Sequence, residues 1–194
     1  MIYWLVDKGT FTQTFIFAIM NFSNTSIALA TATDIPALEQ LLNAAYRGES
    51  SKAGWTTEAN LISGDTRVNE TMLREVIENS DSVMLIYLHA GLLAACVNLQ
   101  RHQQRLYLGM FAVAPHLQGR GVGKILLQAA EEYAYMQGYK SIYMTVISVR
   151  YELIAWYQKH GYAFTGDVKP FEEDGVTGKH LQTLEFIVLE KLLN

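Results

Sequence analysis

Three glycines, Gly119, Gly121 and Gly123, alternate with Arg120 and Val122 and are followed by Lys124. An apolar run from Leu106 to Val113 stops just before them at Pro115, and a helical spacing of apolar residues starts just after them. A glycine-rich turn between a strand and a helix start aims several main-chain N–H groups at one point. Together with the positive end of the helix dipole, these donors suit a polyanion such as a pyrophosphate. Glycine tolerates positive φ there and lets a ligand approach the backbone. A P-loop would need glycine where Gln118 stands and a hydroxyl where Ile125 stands. A dinucleotide fingerprint needs G-x-G-x-x-G after the first strand of a βαβ unit. This turn is one residue short, lies past mid-chain and follows strands that read as hairpins. The pattern that fits is Gln/Arg-x-x-Gly-x-Gly/Ala, running from Gln118 to Gly123. A plain strand-to-helix connector would use similar residues.

A second segment, Leu153-Ile154-Ala155-Trp156-Tyr157-Gln158-Lys159-His160-Gly161-Tyr162, follows with room between for one helix and one strand. With Phe111-Ala112-Val113 and Pro115 ahead of the glycines, the two segments in this order resemble the GNAT superfamily of N-acetyltransferases. The resemblance covers roughly residues 26–191 and implies acetyl-CoA as co-substrate, with no metal. It assigns Phe111, Ala112 and Val113 to the pantetheine arm, and Gln118, Gly119, Arg120, Gly121, Val122, Gly123 and Lys124 to the pyrophosphate. Arg120 and Lys124 would add charge, although both also suit a solvated helix start. Tyr157 matches the family's tyrosine that protonates the departing sulfur; packing on its helix is the plainer role. Gly109 would mark a bulge that opens the gap for pantetheine, or merely relieve crowding in a strand. The implied reaction is direct attack by the primary amine of a small molecule within a ternary complex. A protein or peptide N-acetyltransferase and an inactive CoA-binding module are the alternatives.

The sequence departs from the family pattern in two places. The strand Arg105–Val113 carries no acid or histidine to deprotonate the amine, which leaves Glu58 and Glu152 as candidate bases, or as ordinary surface carboxylates. Arg150 stands where relatives often have asparagine. Arg150 and Arg47 would grip a substrate carboxylate, or pair as scaffold with Glu152 and Glu49. Trp55 would line the acceptor pocket or pin its loop. His116 reads as solvent-facing, and Cys96, inside an apolar run, as a small core residue.

These residues need elements to position them. The spacing predicts a strand over 26–32 and a helix begun by Thr33 or Asp34 with Pro36 in its first turn. Its apolar face comprises Ile35, Leu38, Leu41, Leu42 and Ala45. A long polar stretch over 47–69 precedes a second helix marked by Met72, Leu73, Val76 and Ile77. Strands over 83–88, 92–99 and 105–113 form a meander. A helix over 121–137 is capped by Gly138. Then come a strand over 141–149, a helix over 151–160, a strand over 162–167 and, after a polar loop over 168–180, a last strand within 181–191. This order is that of the α/β (α+β) GNAT fold, a mixed central sheet of about seven strands flanked by about four helices, with two strands splayed around the pantetheine.

The chain has 194 residues, enough for one domain. Half are hydrophobic, 18% are charged and the formal net charge is −4, which argues for a globular protein and against a nucleic-acid surface. One cysteine excludes an internal disulfide, and the five histidines lack metal-binding spacing. Residues 1–25 fall outside the resemblance. Their apolar stretch is too short for a membrane span, and Asp7 spoils a signal peptide. The expectation is an appended strand or helix, or translation from Met20. A cytoplasmic protein without a membrane or nucleic-acid partner follows, and a homodimer is compatible with the sequence.

Overall fold

In the computed structural model, which describes residues 22–193, nine strands and five helices alternate. They are β1 (Ile27–Leu29), α1 (Ile35–Tyr46), α2 (Gly48–Ser51), β2 (Ile62–Ser63), α3 (Glu70–Glu78), β3 (Ser82–His89) and β4 (Leu92–His102). There follow β5 (Arg105–Val113), α4 (Val122–Met136), β6 (Ser141–Ile147), α5 (Tyr151–Lys159), β7 (Ala163–Pro170), β8 (Lys179–His180) and β9 (Glu185–Leu192). Seven strands form one sheet in the order β1-β3-β4-β5-β6-β9-β7, and β2 pairs with β8 apart from it. Only β5 and β6 run parallel; every other pairing is antiparallel.

The fold is the one expected, with differences of detail. The stretch 47–69 is not all loop, because it holds the single turn α2 and the strand β2. Strand β7 continues to Pro170, three residues beyond the expected end, since its partner β9 extends alongside. Asp34 stands at the N-cap of α1 without capping it. Its carboxylate instead accepts the Thr31 N–H at 2.7 Å, which fixes the 3₁₀ turn leading in. The expected apolar face of α1 is buried throughout, and Gly138 at φ 75° closes α4. Residues 1–21 of the expected extension lie outside the described residues.

The parallel ladder positions the site by stopping early. Arg105, Leu106 and Tyr107 pair with Ser141, Ile142 and Tyr143, and no pair follows. Opposite Val97 the register of β5 against β4 slips, so that Met110 and Phe111 together face one residue. Met110 adopts φ 46°. An extra residue of this kind bends its strand, which turns the end of β5 away from β6. The bulge thus falls at Met110, one residue past the glycine the sequence singled out.

Candidate active site

Two cavities adjoin the splayed end of β5, and the smaller of them reaches β6. The larger, about 320 Å³, lies between Phe111 and Val113 of β5, the glycine turn, and Trp156 and Tyr157 of α5. The smaller, about 120 Å³, lies between Gly109–Phe111 and Met144–Ile147, with Glu58, Arg67 and Arg150 in its wall. Tyr46, Phe111, Leu153 and Tyr157 line both.

The turn at the mouth of the larger cavity is built for open donors. Gly119 and Gly121 have φ of 74° and 85°, and a Cβ on either would meet nothing within 4 Å. Conformation rather than crowding therefore selects glycine there. Gly121 is the N-cap of α4 and offers no side-chain oxygen, so the first N–H groups of the helix have no cap. A Cβ on Gly123 would stand 3.7 Å from the Trp156 ring, at the cavity wall. These features fit a bound diphosphate. Lys124 lines the cavity, whereas exposed Arg120 does not, and the side chains of Ala112 and Val122 are in the core. Ala112 and Val122 therefore offer only main-chain groups.

Strand alternation decides which main-chain groups of β5 face the gap. The Ala114 N–H bonds the Ala94 carbonyl at 2.8 Å, so Val113, one residue earlier, turns its N–H and carbonyl away from β4. Its carbonyl accepts a hydrogen bond from Gln118 Nε2 at 3.0 Å. The same amide group donates to Thr56 Oγ1 at 2.8 Å, and Gln118 Oε1 accepts the Trp55 N–H at 2.9 Å. The Gln118 side chain thus ties the 54–56 loop to the end of β5. Trp55 lines the larger cavity and not the smaller.

Tyr157 stands where the cavities meet. It is 4% exposed, and its hydroxyl has no hydrogen-bond partner among the described residues. Edge-on rings hold it in place, with Trp156 at 5.0 Å, Tyr162 at 5.8 Å and Phe111 at 6.2 Å between centroids. Burial pushes its phenol above the ordinary value of 10.0; Tyr46 adds to the rise and Arg150 opposes it. The group is therefore protonated at neutral pH and able to donate. The Tyr46 hydroxyl donates to the Phe111 carbonyl at 2.5 Å, bracing the bulge. Tyr46 follows Leu42 by four residues and so shares the face that marks α1 in the sequence. That spacing was the available signal for it.

The arginines pair differently from either pairing the sequence suggested. Arg47, 1% exposed, binds Glu58 rather than Glu49, and donates to the Thr177 carbonyl at 3.4 Å. Glu49 pairs instead with Lys52. Glu152 is exposed, and the carboxylate nearest Arg150 is also Glu58, at 3.8 Å. Glu58 is thus held between two guanidiniums, the arrangement of a structural ion pair. Arg67, unmarked in the sequence, is presented by a segment that Asn43 pins: Asn43 Oδ1 accepts the Arg67 N–H at 2.6 Å and the Val68 N–H at 3.0 Å. His116 is exposed. Cys96 is fully buried, and burial pushes its thiol up to about 12, which leaves it inert. No group of His, Cys, Asp and Glu suited to a metal ion occurs among the described residues, and no described helix is long and apolar enough to cross a membrane.

Residues 57–183 match the family model of the acetyltransferase (GNAT) domain, so the chain belongs to the GNAT acetyltransferase family. Over 87 residues it is 31% identical to streptothricin acetyltransferase from Streptomyces lavendulae, a match covering 44% of this chain and 46% of that protein. The chain thus spans about half the length of that relative. Among solved structures, the fold resembles a ribosomal-protein-alanine N-acetyltransferase from Brucella melitensis, with TM-score 0.66 and 20% identity over 86% of this chain and 99% of the other. A nourseothricin acetyltransferase aligns with TM-score 0.51 and 24% identity, over 59% of this chain and 67% of the other.

Proposed function

We propose that this protein is an acetyl-CoA-dependent N-acetyltransferase that acetylates the primary amine of a small molecule while both substrates are bound. The observation that carries this reading is the meeting of the two cavities at Tyr157. The larger has a donor-rich glycine turn at its mouth, and the smaller has a polar wall. When bound, acetyl-CoA supplies the activated acetyl thioester. The N–H groups of Gly119–Lys124 hold the diphosphate, and the Val113 main chain holds the pantetheine arm much as an added strand would. Packing against Trp156 and Phe111 excludes water beside the reacting atoms. The Tyr157 hydroxyl donates its proton to the departing sulfur and is restored by the proton that the amine nitrogen loses on becoming an amide, and no residue needs to form a covalent intermediate. The rate then comes mainly from holding amine and thioester together.

A volume of about 120 Å³ on the acceptor side suits a compact amine better than a peptide. On this reading 26–191 is the catalytic domain, 1–25 is an extension to it, and the reaction belongs to the cytoplasm, where acetyl-CoA is abundant. The test is calorimetric titration with CoA, followed by thiol release from acetyl-CoA with an amine panel. Saturable heat and amine-dependent release are expected. Heat without release from any amine would leave a CoA-binding module, and absence of heat would remove the reading altogether.

A further inference from the structure

We propose that the acceptor carries a carboxylate as well as its amine, and that Arg150, assisted by Arg67, binds that carboxylate in the smaller cavity. This rests on the acetyl-transfer reading above. Arg150 stands at the N-cap of α5, and its side chain is 9% exposed. A guanidinium has five N–H donors. Among the described residues none of these makes a hydrogen bond, and the Glu58 oxygen at 3.8 Å is beyond that reach. The other Glu58 oxygen is bonded to Arg47. A desolvated guanidinium with unmet donors is costly unless an acceptor reaches it. No nitrogen of Arg150 is sealed off without a partner, so its donors open on the cavity whose wall it forms.

The charges around the cavity point the same way. Arg67 forms part of the wall and has no carboxylate within 4 Å among the described residues. In the wall itself the guanidiniums of Arg67 and Arg150 outnumber the carboxylate of Glu58, which is already paired with Arg47, while the Asp174 carboxylate acts on Arg67 from more than 4 Å away. The first N–H groups of α5 have no side-chain cap and add positive potential at the same end. An excess of positive charge in a cavity wall selects an anion and rejects a polyamine. Planar guanidinium matches carboxylate in a two-bond geometry. The cavity also touches Tyr157, so a molecule anchored at Arg150 presents its amine to the reaction only if acid and amine lie a few bonds apart. The chemical class is a short amino acid, with the amine α, β or γ to the carboxylate.

The test uses the full chain and a panel of glycine, β-alanine, γ-aminobutyrate and the neutral L-amino acids, each beside its carboxamide. Thiol release gives kcat/KM for each compound, and thermal shift in saturating CoA gives binding without turnover. An acid should be preferred over its own amide by ~10- to 100-fold, the range of one charge-assisted hydrogen-bonded pair. The same acid should raise Tm where the amide does not. Arg67→Gln and Arg150→Lys should each lower the acid-to-amide ratio, while CoA calorimetry confirms that the variants are folded. Amides or polyamines used as well as acids, or a ratio unmoved by both variants, would overturn the proposal. So would failure of every acid on the panel. In each of these cases a preserved heat of CoA binding together with thiol release from some other amine leaves the acetyl-transfer reading standing, whereas loss of that heat in the unmutated protein would remove both.

Discussion

Tyr157 is almost buried, yet its hydroxyl has no hydrogen-bond partner among the described residues, while its ring is fixed by three neighbouring rings. Those facts separate its two conceivable roles, because packing uses the ring and proton donation uses the oxygen. Tyr157→Phe keeps every ring contact and deletes only the donor. Removing a positioned general acid costs about 10²-fold or more in rate. We therefore expect kcat to fall by about that factor with CoA affinity preserved in calorimetry. Burial raises the phenol above 10.0, so the group stays protonated through pH 9 and loss of its proton should not shape the rate profile below that. A Phe variant with undiminished turnover would remove Tyr157 from the mechanism.

At the scale of elements, the ion pair between Arg47 and Glu58 joins the end of α1 to the loop before β2, and Arg47 also reaches Thr177, 130 positions away. Removing one member of a buried pair leaves the other charge without compensation, at a cost of about 3–5 kcal/mol. Glu58, 12% exposed, keeps some contact with water, which sets the expectation at the lower end. Glu58→Gln should lower Tm by about 6–12 °C, whereas Glu152→Gln on the exposed face of α5 should shift it little. Equal small shifts would show that Glu58 is not structural. The same distance along the chain explains what was legible in the sequence. The glycine turn, the apolar faces of α1 and α4, and the aromatic segment of α5 are local patterns, and each was readable. The partners of Arg47, the Met110 bulge, the Gln118 ties and the β2–β8 pair depend on residues brought together by the fold. Nothing nearby in the sequence announces them. Met110 is instructive, because a β-strand leaves left-handed backbone to glycine by preference, and Gly109 next to it drew the expectation.

Across the whole molecule, several weak acids are buried in neutral form. Tyr157 is 4% exposed, Tyr162 2% and Cys96 fully buried, and desolvation is the largest cause raising each of them. Tyr162 is raised further by Glu131, whose carboxylate accepts its hydroxyl at 3.3 Å. The sign follows from where the proton sits. With the folded value above the unfolded one, stability is complete below the unfolded value and is lost as pH rises toward the folded value, because the unfolded chain releases its proton first. For Cys96 the window runs from 9.0 to about 12, and for the tyrosines it opens at 10.0. Each group removes about 1.4 kcal/mol per pH unit inside its window. Urea midpoints should therefore hold level from pH 7 to 9 and fall steeply beyond 10, with these three groups and Tyr46, which burial also raises, acting together. Tyr162→Phe removes one of them, so its midpoint should decline less steeply from its own starting value. A midpoint that stayed level to pH 11 would show that these groups ionise in the folded protein as they do in the unfolded chain, and that the aromatic wall behind the site admits water.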